Sequence, residues 1–118
     1  MTDSEIVRAF ARRRAEERLA LACRRRDLLR SVVPDLARRL VREFGARRVI
    51  LFGSLAWGQA DEDSDIDLAV EGLPVGSFFK ALGEVLADAP APVDLVELEI
   101  APQGLRERIL RDGVAIDV

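Results

Sequence analysis

Val49-Ile50-Leu51-Phe52-Gly53-Ser54 and, ten residues on, Ser64-Asp65-Ile66-Asp67-Leu68-Ala69-Val70 decide the reading of this chain. The first stretch is a short apolar run closed by glycine, the pattern of a buried strand that ends in a tight turn. The second alternates, with Ile66, Leu68 and Val70 on one face and Asp65, Asp67 and Ala69 on the other. Side chains two apart on a strand share a face, with Cα atoms about 6.6 Å apart, so Asp65 and Asp67 form a carboxylate pair. Glycine lets backbone amides approach a phosphate, and the Ser54 hydroxyl adds a hydrogen bond. Carboxylates beside such a turn suit a divalent cation and a nucleotide phosphate.

A third carboxylate sits downstream, in Val93-Asp94-Leu95-Val96. An ionised residue inside an apolar strand is costly unless it is paired, metal-bound or at the open end of the sheet. Three carboxylates suit a two-metal phosphoryl-transfer site, where the third draws the proton from an attacking hydroxyl. Glu97 and Glu99 are rivals for the third place, and Asp94 ranks ahead of them because, like Asp65, it stands at a strand start. Asp61, Glu62 and Asp63 add to the pair, so five acids crowd into seven residues and raise one another's proton affinity unless a cation intervenes.

Working outward, residues 4–33 hold neither glycine nor proline and are dense in Ala, Leu, Arg and Glu, which predicts a long helix. Ser4 is the expected N-cap. Pro34 lacks an amide hydrogen and is expected to end or kink that helix, with a second helix over 34–44 stopped by Gly45. The chain therefore divides into 1–33, a basic N-terminal helix that is either part of the same domain or an interface, and 34–118, the core. Within the core, strands are expected over 48–52, 65–70, 93–98 and 114–118. Helices are expected over 77–86, with Phe78, Phe79, Leu82, Val85 and Leu86 inward, and over 102–111. Strands alternating with helices give an α/β (α+β) fold, a small sheet flanked by helices.

Composition narrows the chemistry. At 118 residues, 49% apolar and 33% charged, the chain reads as one globular domain. With no His, no Tyr and one cysteine, it cannot build Ser-His-Asp or Cys-His catalysis, a His-bearing zinc site or an internal disulfide. Cys23 is expected as a small buried helix residue. No apolar stretch approaches the roughly 20 residues of a membrane span, and no signal-peptide core is evident, so the cytoplasm is the expected location. The net charge of -3 hides an asymmetry: residues 1–48 carry fourteen arginines against seven acids, and residues 49–118 carry four basic residues against fourteen acids. The basic helix reads either as a solvated face or as a docking surface for an acidic partner or a second subunit, with Ile6, Phe10, Leu21 and Leu28 as its apolar stripe. Glu16-Glu17 between the arginine runs argues against a nucleic-acid stripe.

Leu51-Phe52-Gly53-Ser54, the ten-residue spacing and Ser64-Asp65-Ile66-Asp67-Leu68 resemble the minimal nucleotidyltransferases of the DNA polymerase beta superfamily. The resemblance covers about residues 47–118, including the tail Leu105-Arg106-Glu107-Arg108-Ile109-Leu110-Arg111-Asp112-Gly113. It implies the nucleotidyltransferase fold, with a small mixed β-sheet flanked by helices and, here, a long N-terminal helix. It implies that Gly53, Ser54 and Ser64 bind the triphosphate of ATP, and that Asp65, Asp67 and Asp94 are the catalytic residues that ligate Mg2+, two ions in all. It also implies transfer of AMP to a hydroxyl with release of pyrophosphate, and service as an antitoxin to a HEPN-domain toxin. Two rivals stand beside that function: an antitoxin that masks its partner without catalysis, and a stand-alone enzyme that modifies a small molecule as a dimer. Family loops often read Gly-Ser-x-Ala-Arg-Gly, whereas Trp57 stands at the arginine here, free either to stack on a base or partner or to pack on its own domain.

Overall fold

The computed structural model describes residues 1–58, 61 and 63–118. Glu62, one of the five clustered acids, lies outside the described residues. In chain order the elements are α1 (Asp3–Arg42), β1 (Arg48–Phe52), α2 (Gly53–Ala56), β2 (Ile66–Glu71), α3 (Phe78–Asp88), β3 (Val93–Glu97), a 3-10 turn (Leu98–Ile100), α4 (Gln103–Asp112) and β4 (Val114–Ala115). The sheet runs β3-β2-β1-β4. β1 pairs antiparallel with β2 and β4, whereas β2 and β3 are parallel, as a helical crossover through α3 requires.

The alternation read in β2 holds. Ile66, Leu68 and Val70 join Val49, Leu51, Val93 and Leu95 in a layer closed by Leu29, Val33, Leu36, Ala37 and Leu40 of α1 and by Ala81 and Val85 of α3. Ala69 joins Ile50 and Phe52 on the opposite face, under Leu98 and Ile109, with Trp57, Val96 and Leu105 packed around them. Asp67 therefore shares its face with the α4 side of the sheet, away from α1.

Three helix details differ from expectation. The N-cap is Thr2, not Ser4: Thr2 Oγ1 accepts from the Glu5 amide at 3.2 Å and Glu5 Oε2 accepts from the Thr2 amide at 3.1 Å. Such a reciprocal box satisfies two orphan donors, where Ser4 alone would satisfy one. In α3, Phe79 is 82% exposed and Leu86 43% exposed. The core-facing set there is Phe78, Ala81, Leu82 and Val85; Phe79 and Leu86, seven apart, share a stripe just outside it. Cys23 is half-exposed on α1, not buried.

The largest difference is at Pro34. α1 is one helix of 40 residues with proline in its interior, not two helices. Proline removes one amide donor and costs a helix interior about 3 kcal/mol. Tertiary burial outweighs that here: Leu29 and Val33 before it and Leu36, Ala37 and Leu40 after it are all buried on one face. Pro34 itself is exposed. Pro34→Ala should restore the missing donor and raise stability by about 1–2 kcal/mol, the stiffness of proline in the unfolded chain offsetting part of the gain. A shift of the urea midpoint to higher concentration checks this. Gly45 ends the helix as expected, with φ of 82°, while the amides of Gly45 and Ala46 return to the carbonyls of Val41 and Leu40.

The domain holds only the C-terminal half of α1. Every residue from 1 to 21 is exposed, and Leu29 is the first buried one. The radius of gyration is 18.0 Å, against about 13.5 Å for a compact chain of this length, because the helix projects to give a longest dimension of 66 Å.

Candidate active site

The end of β1 and the starts of β2 and β3 meet at one edge of the sheet. In the pairing register Phe52 faces Asp67 across β1 and β2, and Asp67 faces Asp94 across β2 and β3. Neighbouring strands lie about 4.8 Å apart, so Asp67 and Asp94 stand side by side on one face. Asp65 immediately precedes β2 and is exposed, Asp94 is exposed and Asp67 is half-buried between them. Burial raises the Asp67 carboxyl from 3.8 to about 6, and the negative charges of Asp94 and then Asp65 add to the effect. Glu97 pairs with Val70 at the far end of β3, and Glu99 Oε1 accepts from the Gly72 amide at 2.9 Å. Neither rival reaches the Asp67 end of the sheet.

Gly53 is held against Asp67. Its φ is 75°, and a Cβ there would collide with Asp67 Oδ2 and lie 2.9 Å from Asp67 Cγ. Glycine is thus required twice over, by its backbone conformation and by the carboxylate beside it. α2 starts at this glycine, so the amides of its first turn have no acceptor within the helix. Ser54 Oγ donates to Ser64 Oγ at 3.2 Å, and Ser64 Oγ accepts from the Asp61 amide at 2.7 Å. Ser64 is buried, its hydroxyl engaged inside the loop, where it ties the glycine turn to the acidic segment.

Two residues of the site were read in the sequence only as part of a charge run. Arg25 Nε donates to the Ser64 carbonyl at 2.9 Å, and Arg30 donates to the Leu55 carbonyl at 3.1 Å through Nε and 2.7 Å through Nη2. They flank the buried stripe of α1 and clamp both loops that carry the site. The signal in the sequence is their place on either side of Leu29, where a long side chain lies along the core and extends its head past it. Arg30→Ala should lower the transfer rate about tenfold, as the loss of roughly 1.4 kcal/mol of loop positioning implies, while Arg30→Lys recovers part of it through one donor. Initial rates of nucleotide transfer check this.

Trp57 packs on its own domain. Its indole N–H donates to the Asp112 carbonyl at 3.0 Å, and the Arg108 guanidinium lies 4.0 Å from the ring centroid. Its ring also meets Phe52 at 6.5 Å. A groove of about 770 Å³ lies at the other end of the sheet, between Phe78, Phe79, Ile100 and Leu105, and contains none of the three aspartates.

The donor set fits a hard divalent cation. It offers carboxylate oxygens, one of them carrying a charge that its surroundings disfavour, which an adjacent cation would relieve. Among the described residues no three acidic or thiol side chains are grouped so as to hold a metal ion by themselves. Magnesium needs no such group, because it keeps waters and takes substrate phosphate oxygens beside one or two carboxylates.

A mixed sheet with a glycine-serine turn at one strand end and an Asp-x-Asp pair on the next defines a class of phosphoryl-transfer enzymes, the nucleotidyltransferases. The polymerase beta nucleotidyltransferase family matches residues 35–117. A protein adenylyltransferase MntA of Thermococcus cleftensis is 33% identical over 91 residues, which are 75% of this chain and 92% of that one. A solved minimal nucleotidyltransferase is similar at 32% identity and a TM-score of 0.61, over 79% of this chain and 95% of the other. A toxin-antitoxin structure with AMP-PNP is similar at 25% identity and a TM-score of 0.60, over 70% of this chain and 71% of the other. The chain belongs to the polymerase beta nucleotidyltransferase family, on its minimal nucleotidyltransferase branch.

Proposed function

We propose that this enzyme moves AMP from ATP to a hydroxyl of a partner protein, a HEPN-domain toxin, and so acts as its antitoxin. The observation that carries the chemistry is the side-by-side register of Asp67 and Asp94 against the Gly53 turn. The adenylyltransferase name of the relative and the toxin-antitoxin assembly of the solved neighbour support the choice of nucleotide and partner.

In this reading Gly53 and Ser54 receive the triphosphate through the first-turn amides of α2, and Ser64 holds Ser54 in place. Asp65, Asp67 and Asp94 would hold Mg2+, which neutralises the triphosphate and the departing pyrophosphate. The acceptor oxygen attacks the α-phosphorus, the bond to the β-phosphate bridging oxygen breaks, and Asp94 accepts the hydroxyl proton. The acceptor belongs to another molecule. This chain has no tyrosine, and its hydroxyls are Thr2, Ser4, Ser31, Ser54, Ser64 and Ser77. Thr2 caps α1, Ser31 donates to the Leu28 carbonyl at 2.6 Å, and Ser54 and Ser64 bond each other.

The test is intact mass. With ATP and magnesium alone the mass of this chain stays unchanged; with the partner added, the partner gains one or more AMP units. Neutralisation of the toxin by an Asp65→Asn variant without ATP would show masking instead, and AMP on a small molecule with the partner untouched would show the stand-alone enzyme.

A further inference from the structure

The arm of α1 that extends beyond the domain carries a second pattern. Val7, Phe10, Arg14, Glu17, Leu21, Arg24 and Leu28 recur at alternating spacings of three and four, a heptad seam, with Asp3 one step before them. Val7, Phe10, Leu21 and Leu28 are each about half exposed or more. At 3.6 residues per turn the seam lies about 110° around the helix from the face formed by Leu29, Val33 and Leu36. Its own domain does not cover it. The family match covers residues 35–117 and does not include the arm.

We propose that a second copy of this chain covers the seam, in antiparallel orientation, with Arg14 facing the second copy's Glu17. Two-fold symmetry makes that contact twice. The same register sets Phe10 on the second copy's Leu21, again twice, and Val7 on the stem of its Arg24. At the ends, Asp3 meets the second copy's Leu28 and stands with Glu5 beside its Arg24-Arg25-Arg26. On the flanks Arg18 falls beside Ala11 and Arg13 beside Ala20, so no like charges meet.

Other pairings of two copies are worse. A parallel pair stacks Arg14 on Arg14, Glu17 on Glu17 and Arg24 on Arg24, and brings Arg13 beside Arg18. A shift of one heptad sets Phe10 on Arg14 in one direction, and Arg14 on Arg24 in the other. Residues 3–28 span about 39 Å of helix, and this register sets Asp3 on the second copy's Leu28, just before the first buried residue, Leu29. The two domains then sit at opposite ends of a two-helix rod and do not collide.

The test is the solution mass of the full chain by light scattering. A dimer of about 26 kDa is expected, twice the 13.1 kDa of one chain. Arg14→Glu alone and Glu17→Arg alone should each weaken self-association at least tenfold, because like charges then face each other. The two single variants mixed in equal amounts should pair. The glutamate introduced in one chain then meets the arginine introduced in the other, and the remaining native Arg14 meets the remaining native Glu17. The double variant R14E/E17R should dimerise by itself. A wild-type chain that is monomeric, single variants that dimerise undiminished, or a double variant that stays monomeric would overturn the proposal. A parallel dimer would be told apart by the single variants, because its layers at 14 and 17 already hold like charges in wild type and neither single substitution would weaken it. These residues lie on the exposed arm, far from the aspartates, so the result is independent of whether the partner-modifying function holds.

Discussion

Asp67→Asn should abolish nucleotide transfer and yet make the magnesium-free protein more stable. In the proposed function Asp67 would hold the Mg2+ that neutralises and positions the triphosphate, and loss of several kcal/mol of that electrostatic assistance corresponds to a rate drop of about 10³-fold or more. The same carboxylate is a liability in the protein alone. It is half-buried, next to Asp94 and near Asp65, and its carboxyl is raised to about 6. Asparagine keeps the shape and removes the charge.

The pH dependence fixes the sign. Between 3.8 and about 6 the folded chain holds more protons at Asp67 than the unfolded chain, so stability falls as pH rises through that window. Above pH 6 the folded protein carries the full cost of the ionised group, and below 3.8 it carries none. The gain from Asp67→Asn should therefore be present at pH 8 and gone at pH 3.5. The carboxylate is partly open to solvent, so screening reduces its cost to about 1 kcal/mol, or roughly 4 °C in melting temperature. Thermal melts of both proteins at the two pH values in EDTA check this. Magnesium with ATP should raise the melting temperature of wild type at pH 8 and leave that of Asp67→Asn nearly unchanged. Full transfer activity in the variant would remove Asp67 from the site.

Much of the site could be read from the chain because it is built from local patterns. The run Val49 to Phe52, the glycine after it and the alternation from Asp65 to Val70 each declare their geometry within a few residues; the first two form as read, and the alternation holds from Ile66 on, with Asp65 just before the strand. Asp94 was reached by the cost of a charge in an apolar strand, and its parallel register with Asp67 puts the two carboxylates side by side. What escaped depended on distant parts of the chain. Pro34 reads as a helix break because its local cost is plain, whereas the burial of Val33 and Leu36 that overrides it exists only in the folded domain. Arg25 and Arg30 look like the seven other arginines of residues 1–30, and only the path of the loops makes them clamps. The Thr2 cap is the exception, because its signal is local: Thr2 and Glu5 stand three apart, the spacing of a capping box, and the choice of Ser4 passes over it. By the same long-range contacts, removal of residues 1–30 would not leave the core intact, since it takes Leu29, Arg25 and Arg30 with it.

Gly53→Val should cost both fold stability and nucleotide binding, and the second loss should exceed what the first explains. The backbone at Gly53 has φ of 75°, where a β-branched residue is strained by about 1–2 kcal/mol or more. Its new Cβ would also displace the Asp67 carboxylate, which sits against it. The chain has two ways to relieve that collision. It can move the first turn of α2, which carries the amides proposed to receive phosphate, or it can swing Asp67 off the position it shares with Asp94. Either response disables the site, so binding of ATP with magnesium should fall at least about 10²-fold, some 2.7 kcal/mol, even in the fraction that remains folded. Pairing the substitution with Pro34→Ala, which lies in α1 and adds stability, should restore the melting temperature without restoring binding. Calorimetric titration of the doubly substituted protein separates the two effects. A well-folded Gly53→Val protein that binds ATP as tightly as wild type would place the phosphates elsewhere and reduce this glycine to a strand-ending turn.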